Sequence, residues 1–297
     1  GCILLAPKTH SAEYTPYDIH VLSNMYSYFF LVIYYLRNIS KQDIIVTIDR
    51  EVEMSDQIIG SIQNYKDKLE AHHFTMDSVA YSAHQLGGDF IDYITLNDKR
   101  AMFLIGDVSG KGLSASMSMV ILKSIIHTYL QTISDFKELV TKVNRFIKDN
   151  LPRGTFFAGL FGIIDFPTNT IYYLNCGIPL MSMYISSYKN AIEIQGEGRV
   201  LGFVKNIAPF LKVRKITMHK GDTIVFTTDG LLEATNLKGD RFGSDRVGRI
   251  LQENNGAKAS QIARTIYNNL LDFILRKIDD DVTILVLKYN QQGVAKN

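Results

Sequence analysis

Cysteine is scarce in this chain. Only Cys2 and Cys176 occur among 297 residues, and they lie far apart. Neither a disulfide framework nor a zinc cluster can be built from them, so a reducing cytoplasm is the expected compartment. Long basic runs are also missing, and the net charge is only +2, which argues against nucleic acid as the main partner. No unbroken apolar run reaches bilayer length. The richest stretch, 22–36, contains Ser23, Asn24 and Ser27 and reads as a packed or interface helix, so no membrane span is expected. There is no internal repeat or low-complexity tract. The opening Gly1-Cys2-Ile3 has neither initiator methionine nor charged leader and reads as the edge of a fragment. What the chain does have is core material: 46% of its residues are hydrophobic and 21% charged, enough for one large domain or two modest ones.

Three zones follow from the patterning. Residues 1–40 start with an apolar strand over 2–5. A helix follows, opened by Thr15 as N-cap, Pro16 at the first helical position and Asp18 in the first turn, and expected to run to about 37. Residues 41–75 carry Ile45, Val52, Met54, Ile58, Ile59, Ile62, Tyr65 and Leu69 at helical spacing and read as a connecting helix. From 76 to 290 the pattern predicts strands over 78–86, 90–96 and 100–108, with a hairpin turn at Asn97-Asp98-Lys99. Two helices follow over 113–130 and 136–150, the first with Leu113, Met117, Val120, Ile121, Ile125 and Thr128 on one face. Further strands are expected over 156–165, 170–176, 180–186, 211–217, 222–228 and 282–288, with a helix over 260–276. The fold class is α+β: two antiparallel sheets stacked between helices, preceded by the helical linker.

Four aspartate-bearing stretches stand out: Gly87-Gly88-Asp89-Phe90, Gly106-Asp107-Val108-Ser109-Gly110-Lys111-Gly112, Thr228-Asp229-Gly230 and Asp279-Asp280-Asp281-Val282-Thr283. Each has an ordinary reading. Asp89 suits a β-turn. Asp107 suits either helix-side capping or metal binding. Asp229 suits a strand-ending turn, and the triple aspartate suits a solvated loop. The glycine-rich loop is not a nucleotide loop, because Lys111 stands where the second glycine is needed and Gly112 follows in place of Ser or Thr. Its glycines suit a tight strand-to-helix turn with left-handed backbone. Carboxylates at sheet ends, gathered by folding, can hold a hard divalent cation, so a metal-dependent hydrolase is the leading hypothesis.

The four stretches together, and in this order, resemble the motifs of the metal-dependent (type 2C) protein phosphatases. The similarity runs from Ser82-Ala83-His84-Gln85-Leu86-Gly87-Gly88-Asp89-Phe90 through Thr227-Thr228-Asp229-Gly230-Leu231-Leu232-Glu233-Ala234 to Asp280-Asp281-Val282-Thr283. It is nearest the bacterial sporulation stage II E and sigma-factor-regulating branch, and spans about 75–289. The resemblance implies a four-layer α-β-β-α sandwich with a two-metal centre at one end. Asp107 would bridge both ions beside the Val108 carbonyl, Asp229 and Asp280 would hold one ion, and Asp89 would act on the second. Asp89, Asp107 and Asp229 are thus the candidate catalytic residues, and all-carboxylate ligation favours Mn²⁺ or Mg²⁺. Asp281 is the less usual ligand of its pair, and Asp279 has no counterpart. Ile178 in Cys176-Gly177-Ile178-Pro179 replaces the family's histidine, and no arginine can be assigned to the phosphate. Residues 1–36, especially Tyr14-Thr15-Pro16-Tyr17-Asp18, resemble the last strand and helix of a GAF sensor domain.

The expected reaction is hydrolysis of phosphoserine or phosphothreonine on a protein. Family analogy points to an anti-sigma-factor antagonist as substrate and to a homodimer through the linker. The competing class is a catalytically silent module of the same fold that binds or scaffolds.

Overall fold

In the computed structural model the described residues are 13–16, 18–27, 29–33, 69–83, 87–195 and 198–290. They belong to two compact units, within Gly1–Met54 and within Ser55–Asn297, and each is treated by itself. In the first unit residues 18–27 and 29–33 are helical. Its start follows the sequence expectation: the Asp18 N–H donates to Thr15 Oγ1 (3.2 Å) and the Thr15 N–H donates to Asp18 Oδ2 (2.8 Å), a reciprocal cap that satisfies otherwise orphaned donors. The expected strand at 2–5, the end of this helix, and linker residues 41–68 lie outside the described residues.

Among the described residues the second unit has eleven strands: β1 (Leu69–Ala71), β2 (Phe74–Tyr81), β3 (Asp89–Asn97), β4 (Arg100–Val108), β5 (Phe157–Asp165), β6 (Thr170–Cys176), β7 (Leu180–Ile185), β8 (Asn190–Gln195), β9 (Arg214–Thr217), β10 (Thr223–Thr227) and β11 (Val282–Tyr289). Its helices are α1 (Leu113–Leu130), α2 (Phe136–Asn150), the short α3 (Asp229–Glu233), α4 (Ser244–Glu253) and α5 (Ala259–Ile274). The strands form a six-stranded sheet, ordered β1-β2-β11-β10-β7-β8, and a five-stranded one, ordered β3-β4-β5-β6-β9. All ladders are antiparallel. Helices α4 and α5 pack on the larger sheet, and α1 packs on β3 and β4 of the smaller.

Pattern explains the layering. β4 is buried on both faces: Ala101, Phe103 and Ile105 enter the inter-sheet core, while Met102 and Leu104 are buried as well. That is why the strand reads as a continuous apolar run. Phe103 meets Phe226 across the sandwich with ring centroids 5.2 Å apart. On the outer face of the larger sheet Val225, Ile284 and Val286 pack against Ile262, Ile266 and Leu270 of α5. Each such burial is worth about 1.5–3 kcal/mol.

Some expectations fail. Residues 69–75 are not helical, since β1 and the start of β2 occupy them. β2 starts at Phe74 and ends at Tyr81, earlier than the expected 78–86. β9 is shorter than 211–217, because the Ala208–Phe210 turn and the stretch after it take up the first part. The apolar face assigned to α1 is the wrong one. Its buried residues include Ala115, Ser116, Met119, Leu122, Lys123 and Ile126, while Leu113, Met117 and Ile121 are exposed. α1 is apolar almost all round, long and apolar enough to pass as a membrane span, so hydrophobicity could not choose its face. Specific polar contacts do: the Ser116 hydroxyl donates to the Gly87 carbonyl (2.8 Å) and Lys123 Nζ lies 3.5 Å from Asp92 Oδ1.

Candidate metal centre

All four aspartate stretches arrive at the same end of the sandwich. Asp89 opens β3 and Asp107 closes β4, and the ladder pairs them directly. Like charges facing each other across two strands are destabilising unless something compensates. In the other sheet β10 ends at Thr227, Asp229 begins α3, and Asp280 and Asp281 precede β11, the neighbour of β10.

Polar contacts lock these pieces across the two sheets. Thr228 occupies the N-cap position of α3 but does not cap it. Its hydroxyl instead donates to Asp89 Oδ2 (2.8 Å) and accepts from the Thr283 N–H (3.1 Å). Asp281 accepts from the Ala83 N–H at Oδ1 and from the Gly88 N–H at Oδ2, both at 2.9 Å. The Val108 N–H donates to the Gly88 carbonyl (3.2 Å). Two glycines are required by close approach. A Cβ on Gly88 would lie 2.4 Å from the Val108 carbonyl oxygen and 2.6 Å from Asp107 Oδ1, and one on Gly230 would lie 1.9 Å from the Asp281 carbonyl oxygen. The expected left-handed turn is present, with φ of 111° at Gly110 and 68° at Gly112.

The electrostatics follow from this crowding. Burial raises Asp107 to about 8, with the charges of Asp89, Asp229, Asp281 and Asp280 adding to the effect. Burial also raises Asp89 to about 7. The Thr283 and Thr228 hydroxyls pull it down in part, and Asp281 and Asp229 push it further up. Asp229 is raised by desolvation, then by Asp280 and Glu233. Lys111 Nζ reaches Asp280 Oδ1 only at 3.7 Å, with both side chains exposed, so it offsets little.

The donor set is therefore carboxylates plus the Val108 carbonyl in a crevice that a single Cβ at Gly88 would fill. This chemistry fits a hard divalent cation. Among the described residues no three acidic, histidine or cysteine side chains form a group that could hold a metal ion as they stand. Asp89 and Asp107 are cross-strand partners, and the charges of Asp229 and Asp280 reach Asp107 as well; that these residues and the Val108 carbonyl form one metal site is the expectation carried forward below. Sequence reasoning missed the parts of Thr228 and Asp281. The doublet Asp280-Asp281 signalled two carboxylates but not which one turns inward. Asp279 pairs with Arg276 at 2.9 Å. Ile178 is a core residue, and its backbone is held by Asn175, whose Oδ1 accepts from the Gly177 and Ile178 N–H groups. Cys176 is buried and its thiol is pushed up to about 12, which leaves no usable thiolate.

Residues 97–290 match the family model of stage II sporulation protein E (SpoIIE). Among curated proteins, the phosphoserine phosphatase RsbU of Bacillus subtilis is 23% identical over 251 residues, covering 84% of this chain and 71% of RsbU. Among solved structures, the SiaA-PP2C domain of Pseudomonas aeruginosa superposes with a TM-score of 0.68 at 17% identity, covering 82% of this chain and 98% of that one. The PP2C phosphatase domain of SpoIIE from Bacillus subtilis, solved with a fragment of its regulatory domain, gives 0.63 at 16% identity. That match covers 74% of this chain and 64% of that one.

Proposed function

The chain belongs to the SpoIIE family, and from that premise we propose that it is a metal-dependent protein phosphatase acting on phosphoserine or phosphothreonine of a regulatory protein. The observation that carries the reading is the Asp89–Asp107 pair facing each other across two strands, with both carboxyls raised by burial and by their neighbours' charges. Such a pair is costly for a fold to keep unless a cation neutralises it. Asp89, Asp107, Asp229, Asp280 and the Val108 carbonyl would hold two Mg²⁺ or Mn²⁺ ions. When bound, such ions neutralise phosphoryl oxygens and supply a water of lowered pKa as nucleophile. The chain's own part is positional. Thr228 orients Asp89, and Asp281 holds the Gly87-Gly88 turn against the end of β4. Cys176 is not placed to act as a covalent carrier, because it is buried and its thiol stays protonated.

The substrate class we favour is an anti-sigma-factor antagonist, the working compartment the cytoplasm, and the assembly a homodimer formed through residues 41–68. Residues 1–40 we read as the tail of a GAF-like sensor domain, supported by the capped helix start at Thr15.

That no three of these side chains form such a group among the described residues is what favours the competing reading, a catalytically silent binding module. One assay separates the two. Phosphate release from p-nitrophenyl phosphate and from phosphoserine peptides is measured with Mn²⁺, with Mg²⁺ and with chelator. The phosphatase reading expects metal-dependent turnover that falls by about 10²–10³-fold in Asp107→Asn, as when a charge-stabilising group is lost. No turnover with either ion would establish the silent module.

A further inference from the structure

At the end that carries Asp107, the smaller sheet continues past β5. Val108 pairs with Phe157 across the β4–β5 ladder, and Phe157 exchanges two backbone hydrogen bonds, both 2.9 Å, with Leu201. Leu201 therefore lies two strand spacings, about 10 Å, from Val108. The turn that enters β5 is tied to the same place. The Ser109 N–H donates to the Phe156 carbonyl and the Phe156 N–H donates to Ser109 Oγ, both at 2.9 Å. A Cβ on Gly202 would lie 3.4 Å from Phe156 Cα, so the Phe156 turn and the stretch around Leu201 touch. Together they stand beside the carboxylate end of β4.

This face is braced, yet it displays aromatic surface. Asn144 of α2 is fully buried and clamps the loop after Leu201: its Oδ1 accepts from the Gly202 N–H (2.8 Å) and its Nδ2 donates to the Val204 carbonyl (3.1 Å). Phe203 sits inside that clamp but is 70% exposed, and Phe156 is 40% exposed. The backbone is held without burying the ring, so core packing does not account for Phe203. One exposed aromatic is ordinary. Two on touching, braced loops have the chemistry of interface anchors, which offer large contact area at low entropic cost. Charge selects the occupant. Between Gly198 and Gly221 there are six Lys and Arg and no Asp or Glu, in a chain whose totals are 32 and 30. Arg199 is exposed and lies over the Phe210 ring, 3.8 Å from its centroid, which pre-orients its donors. Lys205 is exposed as well. An aromatic and basic face fits a partner surface that is apolar and acidic. A second copy of this chain, at a net charge of +2, brings no such excess, whereas a phosphorylated protein is anionic and has to come this close to the carboxylates.

We propose that this face docks the phosphorylated protein. Phe156 and Phe203 receive an apolar side chain of it, and Arg199 and Lys205 meet acidic groups beside that side chain, while the phosphoserine lies at the carboxylates. The inference rests on the phosphatase reading above and adds what distinguishes a protein substrate from a bare phosphate ester.

The test uses the full chain with Mn²⁺ and phosphoserine peptides. Each peptide carries a Glu-Leu-Glu, Ser-Gly-Ser or Lys-Leu-Lys block about three to five residues before or after the phosphoserine, a reach of about 10–17 Å in an extended chain. On one side, Glu-Leu-Glu is expected to raise kcat/KM about tenfold over Ser-Gly-Ser, the scale on which an aromatic anchor acts. The gain is expected in KM rather than kcat, and Lys-Leu-Lys is expected to rank last. Phe203→Ser leaves the Asn144 clamp in place and should cut that preference at least about threefold, half of its free energy. The double variant Arg199→Ser/Lys205→Ser should do the same, and both should leave turnover of p-nitrophenyl phosphate unchanged. Equal KM values for the three blocks on both sides, a preference for Lys-Leu-Lys, or a preference unchanged in both variants would overturn the docking face. So would a Phe203→Ser variant that alters only the oligomeric state in analytical ultracentrifugation, since the face would then join copies of the chain. Those outcomes leave the phosphatase reading intact as long as p-nitrophenyl phosphate is hydrolysed. Failure to hydrolyse that ester with either ion would overturn the phosphatase reading, and the docking face with it.

Discussion

Asp280 and Asp281 are adjacent and chemically identical, yet they act differently because the bend just before β11 turns one outward and the other inward. Asp280 faces solvent at the crevice, with 60% of its side chain exposed. Asp281 turns inward and spends both oxygens on the N–H groups of Ala83 and Gly88. Removing it would strand two partly buried donors, each worth about 1–3 kcal/mol when left unpaired. Asp281→Ala should therefore lower the midpoint of chemical denaturation by roughly that much, and should weaken Mn²⁺ binding measured by calorimetric titration, because the turn that aims Asp89 loosens. Asp281→Asn keeps one acceptor and the shape, and should lose less on both counts. Wild-type stability in Asp281→Ala would mean that the turn is held by something else. At this scale the sequence revealed which positions carry carboxylates. It could not reveal the division of labour, since that depends on whether position 281 or 280 faces the Gly87-Gly88 turn.

At the level of elements, legibility tracked punctuation and length. β4, α1, α2 and β6 fall at the bounds expected from the Asn97–Lys99 turn, the glycines before Leu113, and Pro152. β8 escaped because it is short, and α4 because its ten residues between Gly243 and Asn254-Asn255-Gly256 carry few apolar positions. β1 was absorbed into the expected linker helix because Leu69 fits the helical spacing, whereas its real constraint is pairing with β2, a tertiary effect that overrides local pattern. The face of α1 was misread for a related reason: its register is set by buried charge. Asp92 and Lys123 have side chains only 1% and 4% exposed, and His127 Nε2 also contacts Asp92 Oδ2 at 2.5 Å. Burial holds the Lys123 amine below its ordinary pKa although Asp92 pulls the other way. Breaking such a pair leaves an uncompensated buried charge, at roughly 3 kcal/mol. Lys123→Met should show that loss in denaturant unfolding. The double variant Asp92→Asn/Lys123→Met should recover more than half of it, since no buried charge remains. Equal losses in the two variants would show that packing, not charge, seats the helix.

The whole molecule feels the carboxylate cluster as a dependence of its stability on pH and on cations. An aspartate titrates near 3.8 in the unfolded chain, whereas Asp89 and Asp107 titrate at about 7 and about 8 in the metal-free fold. Between these limits the folded state holds protons that the unfolded state has released, so stability falls as pH rises. The contribution is fully present below the unfolded value and is lost by the time pH has passed through about 7 and then about 8. Metal-free protein should accordingly melt lower at pH 8.5 than at pH 6, by on the order of 5–10 °C for a domain of this size. Mg²⁺ or Mn²⁺ should act in the opposite sense. Binding only the folded state stabilises it by about 2.7 kcal/mol at a hundredfold excess over Kd, and the gain should be larger at high pH, where no protons compete for the carboxylates. Asp107→Asn removes the most strongly raised group, so it should flatten the metal-free pH profile and raise the melting temperature at pH 8.5 while lowering turnover by the about 10²–10³-fold given above. A thermal-melt series over pH, with and without Mn²⁺, checks all of this at once. A metal-free profile that rises from pH 6 to 8.5, or one that Asp107→Asn leaves unchanged, would mean that the carboxylates do not repel one another as their positions at the sheet ends require.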